Sequence, residues 1–110
     1  MGITRTDLYT NEQNQLAQFT KALGHPARIS IIQHLLRMNS CVNGDLVEEI
    51  GLAQPTISQH LRALKEIGLI KGTIEGVSVN YCIDPDKWNE IKNALADLFN
   101  MTSEPGGNCC

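Results

Sequence analysis

Apolar residues recur along this chain at helical spacing, then at every second position, then at helical spacing again. Leu16, Phe19, Ala22 and Leu23 predict a first helix that starts at Asn11 and stops at Gly24. His25-Pro26 breaks the chain, and Pro26 suits the first turn of a second helix, where a missing N–H costs nothing. That helix carries Ile29, Ile31, Ile32, Leu35 and Leu36 around much of its circumference, which predicts a central buried helix ending near Met38-Asn39. Ser40 to Asp45 reads as a capping region for a short third helix, with Leu46, Val47 and Ile50 inward and Gly51 as its stop. A short turn then leads into the stretch from Leu52 to Gly68. There Ile57, Leu61, Leu64 and Ile67 form one apolar stripe, Pro55 falls in the first turn and Gly68 ends the helix.

After Gly68 the period changes from 3.6 to 2. Residues 69–74 and 77–83 alternate as two strands around a tight Glu75-Gly76 turn. Asp84-Pro85-Asp86 opens a last helix with Trp88, Ile91, Leu95, Leu98 and Phe99 on one stripe. Two helices joined by a short Gly-containing turn, the second with a polar outer face, make a helix-turn-helix, and the hairpin behind it makes a wing. The expected fold is mainly α (α+β): a winged helix-turn-helix with N- and C-terminal dimerisation helices and a two-stranded β-wing. Residues 1–10 read as a flexible N-terminus, 11–101 as the winged-helix DNA-binding and dimerisation domain, and 102–110 as a mobile Cys-containing tail. The first and last helices each carry an apolar stripe that so small a chain does not bury alone, so they are the expected homodimer surface. A two-fold pair of reading helices would address half-sites roughly 34 Å apart.

Composition sharpens this picture in two places. The chain of 110 residues is one domain long, with 42% hydrophobic residues and aromatics at only 5%, which disfavours base stacking on single strands. No apolar run approaches the ~20 residues of a membrane helix and no leader-like segment opens the chain, so no membrane partner and a cytoplasmic location are expected. The net charge of −3 opposes nucleic-acid binding as an average, but it is unevenly spread. Between Gln54 and Gly72 stand Arg62, Lys65 and Lys71 against one acid, Glu66, whereas acids gather at Asp45, Glu48, Glu49 and from Asp84 to Glu90.

The outward chemistry of the 52–68 helix is the main functional signal. An ordinary wet helix face favours Glu–Lys pairs. Here Thr56, Ser58, Gln59 and His60 occupy its N-terminal part, followed by Arg62 and Lys65. Short hydroxyls, an amide and an imidazole suit base edges in the major groove of double-stranded DNA. His60 reads as a DNA or phosphate contact rather than a metal ligand, His25 as a structural residue at the helix break, and His34 as a partly exposed polar position.

Three segments, Lys21-Ala22-Leu23-Gly24-His25-Pro26-Ala27-Arg28, Leu52-Ala53-Gln54-Pro55-Thr56-Ile57-Ser58-Gln59-His60-Leu61 and Leu64-Lys65-Glu66-Ile67-Gly68-Leu69-Ile70, together resemble the ArsR/SmtB metalloregulatory repressors. The resemblance covers roughly residues 11–100, with the three motifs in the family's order. It implies a homodimeric winged-helix repressor, not an enzyme, that needs no cofactor to bind its operator and releases it when an inducer binds. Matching positions put Gln54, Thr56, Ser58, Gln59 and His60 on the DNA-reading helix. The wing departs from many relatives: Lys71 and Glu75 are its charges where Arg is common, so weak phosphate contacts are expected there.

Four cysteines bear on the inducer. In a cytosolic chain they read as thiols or metal ligands rather than a disulfide framework. The family's zinc site on the last helix uses acids and His, and Asp86 to Met101 contains no His. The family's Cys-x-Cys is here Cys41-Val42-Asn43, one ligand short. Cys109 and Cys110 follow the last helix by about eight residues, a reach of roughly 25–30 Å when extended. Cys41, Cys109 and Cys110 would give three thiolates, a donor set suited to As(III) or Sb(III), with other thiophilic ions as candidates. A disulfide or polysulfide between Cys41 and a tail Cys, making a thiol-based redox or reactive-sulfur sensing repressor, is the alternative. A third reading gives these thiols no role, and Cys82 reads as a packed strand residue. A small thiol enzyme or metal carrier lacks a general base, a nucleotide loop and a catalytic His/Cys constellation.

Overall fold

A computed structural model of the chain describes residues 6–38, 42–43, 51–73 and 80–102. The third helix expected after Asp45, the Glu75-Gly76 turn, and Cys41, Cys109 and Cys110 lie outside the described residues.

Helix α1 (Asn11–Leu23) begins on a capping box: Thr10 Oγ1 accepts from the Gln13 amide at 3.0 Å while Gln13 Oε1 accepts from the Thr10 amide at 3.0 Å. Thr6–Leu8, within the stretch expected to be flexible, forms a single 3-10 turn ahead of that cap. Helix α2 (Pro26–Met38) buries Ala27, Ile31, Ile32 and Leu35, whereas Ile29 and Leu36 are exposed. The expected central helix is buried along one side, and part of its apolar circumference stays at the surface. A helix packed on one flank keeps its other flank at the surface, however apolar the sequence.

Helix α3 (Gln54–Glu66) starts two residues later than the Leu52 boundary and carries Pro55 in its first turn. Its end is a Schellman turn: Gly68 adopts φ +83°, its amide donates to the Lys65 carbonyl at 2.9 Å, and the Leu69 amide donates to the Leu64 carbonyl at 3.1 Å. Helix α4 (Pro85–Phe99) is capped by Asp84, whose carboxylate accepts from the Asp86 and Lys87 amides.

Both expected wing strands are present, as β2 (Ile70–Thr73) and β3 (Asn80–Ile83), antiparallel with Ile70 opposite Ile83 and Gly72 opposite Tyr81. A further two-residue strand, β1 (Val42–Asn43), pairs with the other edge of β3 through Val42–Tyr81 and Asn43–Asn80, giving the order β1-β3-β2. The sequence pattern predicts a helix-capping loop for that segment. Two residues are too few to show a strand period, and only the partner across the ladder defines the strand.

One cluster holds the layers together. Phe19 from α1, Ile31, Ile32 and Leu35 from α2, Ile57, Leu61 and Leu64 from α3, Leu69 between α3 and β2, Ile70 and Tyr81 from the sheet, and Ile91 from α4 form its buried centre. Burying a side chain of this size contributes about 1.5–3 kcal/mol against leaving it wet. Helix α4 gives the core only Ile91 in full, with Trp88, Ala94 and Leu95 half-covered, and then leaves Phe99 71% and Met101 77% exposed.

At Gly72 the two wing strands approach closely. Its φ is +119°, and a Cβ built there would lie 2.0 Å from the Asn80 carbonyl oxygen and 2.9 Å from the Tyr81 Cα. Gly72→Ala is therefore expected to lower unfolding free energy by more than about 1 kcal/mol. Gly51→Ala, at φ +82° with no atom of the described residues within 4 Å of the new Cβ, is expected to cost less. Urea denaturation of the two variants side by side checks the order.

Candidate nucleic-acid interface

Helix α3 is amphipathic by position. Ile57, Leu61 and Leu64 face the core, and Pro55, Thr56, Gln59, Arg62, Lys65 and Glu66 are exposed, with Ser58 half-buried. Gln54 is the first helical residue. The N-cap is Ala53, which has no side-chain acceptor to offer the first-turn N–H groups. Uncapped amides at a helix N-terminus favour an anion such as a DNA phosphate. The exposed residues thus combine a hydroxyl and an amide near the N-terminus with two cations toward the C-terminus.

His60 departs from the expected outward face. It is only 9% exposed, on the same side as Ile57, Leu61 and Leu64. The spacing carried this signal: position 60 is three after Ile57 and four before Leu64, inside the buried stripe. Polar character led to the outward assignment, and what stabilises an imidazole inside is a partner on another helix. Arg28 Nε donates to His60 Nδ1 at 3.2 Å, and Arg28 Nη1 donates to the Ala22 carbonyl at 3.1 Å. One guanidinium thereby joins the end of α1, the start of α2 and the middle of α3. Accepting at Nδ1 requires the neutral tautomer with its proton on Nε2.

His25 completes the joint. Its Nδ1 accepts from the Ala27 amide at 3.0 Å, serving the first turn of α2, and its ring centroid lies 4.4 Å from that of His60 at an interplanar angle of 47°. The structural role expected for His25 at the helix break is the one observed. His60 is held below its ordinary value of 6.5, first by burial and then by the neighbouring His25 and Arg28 charges. His34 is half-buried on α2. Beside Arg28, a cavity of about 410 Å³ opens between helices α1, α2 and α3, lined by Gln18, Lys21, Ala22, Ala63, Glu66 and Ile67 as well as Arg28 itself.

The remaining cations serve the wing as well as the surface. Lys65 Nζ donates to the Gly72 carbonyl at 2.8 Å, linking α3 to β2. Lys71 is exposed on β2, opposite Cys82 of β3. Cys82 is half-buried on β3. Among the described residues, no three His, Cys, Asp or Glu side chains are grouped so as to hold a metal ion, and no helix is long and apolar enough to cross a membrane.

The region that builds this face and its joint, residues 25–71, matches the family model described as "Bacterial regulatory protein, arsR family". Over 97 residues the chain is 32% identical to the biofilm growth-associated repressor of Xylella fastidiosa, covering 88% of this chain and 83% of that protein. The chain belongs to the ArsR/SmtB family. It is 35% identical over 89 residues to the HTH-type transcriptional regulator CmtR of Mycobacterium tuberculosis, covering 81% of this chain and 72% of that one. Its backbone matches the transcriptional repressor BigR from Xylella fastidiosa with a TM-score of 0.58 at 27% identity, over 91% of this chain and 100% of that one. It matches NolR from Sinorhizobium fredii with a TM-score of 0.62 at 23% identity, over 93% and 99%; that likeness concerns the fold. This ArsR/SmtB-family chain is a winged helix-turn-helix transcriptional repressor and not an enzyme.

The link from α3 to the wing can be tested alone. Lys65→Met keeps the aliphatic stem and removes the donor to Gly72. Unfolding free energy is expected to fall by no more than about 1.5 kcal/mol, while amide hydrogen exchange across residues 70–73 rises. Unchanged exchange there would show that the Lys65 bond does not hold the wing.

Proposed function

We propose that this ArsR/SmtB-family repressor acts as a homodimer that reads operator DNA through α3 and releases it when a thiophilic metalloid binds its cysteines. The observation that carries the DNA half is the exposed face of α3, where Thr56 and Gln59 follow an Ala53 N-cap that offers no side-chain acceptor and stand ahead of Arg62. Gln59 and Thr56, with Gln54 and Ser58, are the base-edge and backbone readers in this proposal, and Arg62, Lys65 and Lys71 serve phosphates. Lys65 shares its ammonium with Gly72, so its part in DNA affinity is the smaller. The exposed apolar residues Leu8, Tyr9, Leu98, Phe99 and Met101 at the outer ends of the first and last helical segments support those elements as the dimer surface.

The input half rests on donor chemistry. Cys41, Cys109 and Cys110 supply three soft thiolates, the set that trivalent arsenic or antimony takes. Cys41 immediately precedes β1, which is hydrogen-bonded to wing strand β3. A bond made at Cys41 would therefore pull on the sheet as well as on the helix-turn-helix. The reactive-sulfur reading uses the same Cys41 with one tail thiol and predicts a response to polysulfide in place of arsenite.

Fluorescence anisotropy on a duplex from immediately upstream of the chain's own gene tests the output. Absence of binding at low salt would sink the repressor reading. Gln59→Ala is expected to lose about 1–3 kcal/mol of discrimination at one base pair of each half-site, whereas Arg62→Ala weakens all duplexes alike and lowers the salt slope by about 1. Titrating arsenite, antimonite, cadmium and polysulfide into the complex tests the input. Cys41→Ser and a truncation after Gly107 are each expected to abolish release by arsenite, and full release from both variants would exclude the three-thiolate site.

A further inference from the structure

We propose that His60 is a positioning residue rather than a DNA contact: as a neutral imidazole it receives Arg28 and fixes α3 on the α1–α2 joint, and its protonation loosens that joint and weakens operator binding. The inference rests on the operator-binding reading above and adds a proton-sensitive element to it.

The geometry supplies the device. His60 sits in the middle of α3 with Ile57 and Leu61 on its own helix in the core, so a change on its ring is felt by the helix that carries Thr56 and Gln59. The Nδ1 lone pair is the acceptor for Arg28 Nε. When Nδ1 takes a proton from solvent the lone pair is used, Arg28 Nε–H loses its acceptor, and two cations face each other across the former bond. Arg28 keeps its second bond to the Ala22 carbonyl, so it stays with α1 and α2. Helix α3 is the partner released.

The surrounding charges oppose the imidazolium. From the α1–α2 break comes His25, whose ring lies 4.4 Å away, and from α2 comes Arg28. On α3 itself the cations Arg62 and Lys65 are exposed, and Lys21 and Glu66 line a cavity together with Arg28. Burial first, then His25 and Arg28, hold His60 below 6.5. The sign follows directly. The folded chain favours the neutral ring, so its contribution is fully present above 6.5 and is lost as pH falls from there through the folded-state value.

His60→Asn tests the idea, because an amide Oδ1 can accept from Arg28 and does not titrate. At pH 7.5 the variant is expected to bind the upstream duplex within about twofold of the unmodified protein. Between pH 7.5 and 5.5 the unmodified protein is expected to lose on the order of tenfold more affinity than the variant. Parallel pH profiles overturn the proposal. So does loss of sequence-specific binding by a folded His60→Asn at pH 7.5, which would make the imidazole a base reader. If neither protein binds duplex at pH 7.5, the repressor reading falls and this one with it. A measurement on the unmodified full chain covers the case in which the variant does not fold: the NMR titration midpoint of the His60 ring is expected below 6.5 and coincident with the midpoint of affinity loss. A midpoint displaced from that loss overturns the proposal.

Discussion

A thirteen-residue helix that must be wet on one face and dry on the other is the constraint around which this molecule is arranged. Such a helix is marginal alone in water, because nucleation is costly and propagation adds little per residue. What holds α3 is the burial of Ile57, Leu61 and Leu64 against α2, α1 and the sheet, at about 1.5–3 kcal/mol per side chain. The polar face is free to vary in chemistry only because the apolar face carries the stability.

The elements around α3 set its direction as well as its stability. At its C-terminal end the Gly68 turn and the bond from Leu69 to the Leu64 carbonyl send the chain straight into β2, while Lys65 reaches back to Gly72. In its middle, His60 meets Arg28, which is bonded in turn to the last turn of α1. The helix is thus referenced to the wing at one end and to the α1–α2 joint at its centre. For the base-edge reading proposed for α3 this matters, since bidentate contacts tolerate little error in the approach of the helix.

The Lys21–Arg28 motif and the helix-turn-helix motif look separate in the chain and are one assembly in space. His25 caps α2 and lies beside His60, and Arg28 spans both motifs. The start of α2 is therefore linked directly to the middle of α3. β1 offers another link, because a segment that begins next to Cys41 is hydrogen-bonded into the wing.

Local sequence rules determined the helices and their ends: Asn11 to Leu23, Pro26 to Met38, the Gly68 stop, Asp84-Pro85 as the start of the last helix, and the change of period into the wing. These features depend on neighbours within about four positions, where capping, φ restriction and periodicity act. That α3 carries a polar outer face was equally legible, since Thr56 and Gln59 stand on consecutive turns of its surface. Tertiary structure alone decided the rest. Spacing places His60 on the inner stripe, but its partner there, Arg28, comes from 32 residues earlier in the chain. That Val42–Asn43 is a strand depends on Asn80–Tyr81, and that position 72 must be glycine depends on the Asn80 carbonyl approaching its backbone. Each is a pairing between distant segments, and no pattern within one segment encodes its partner.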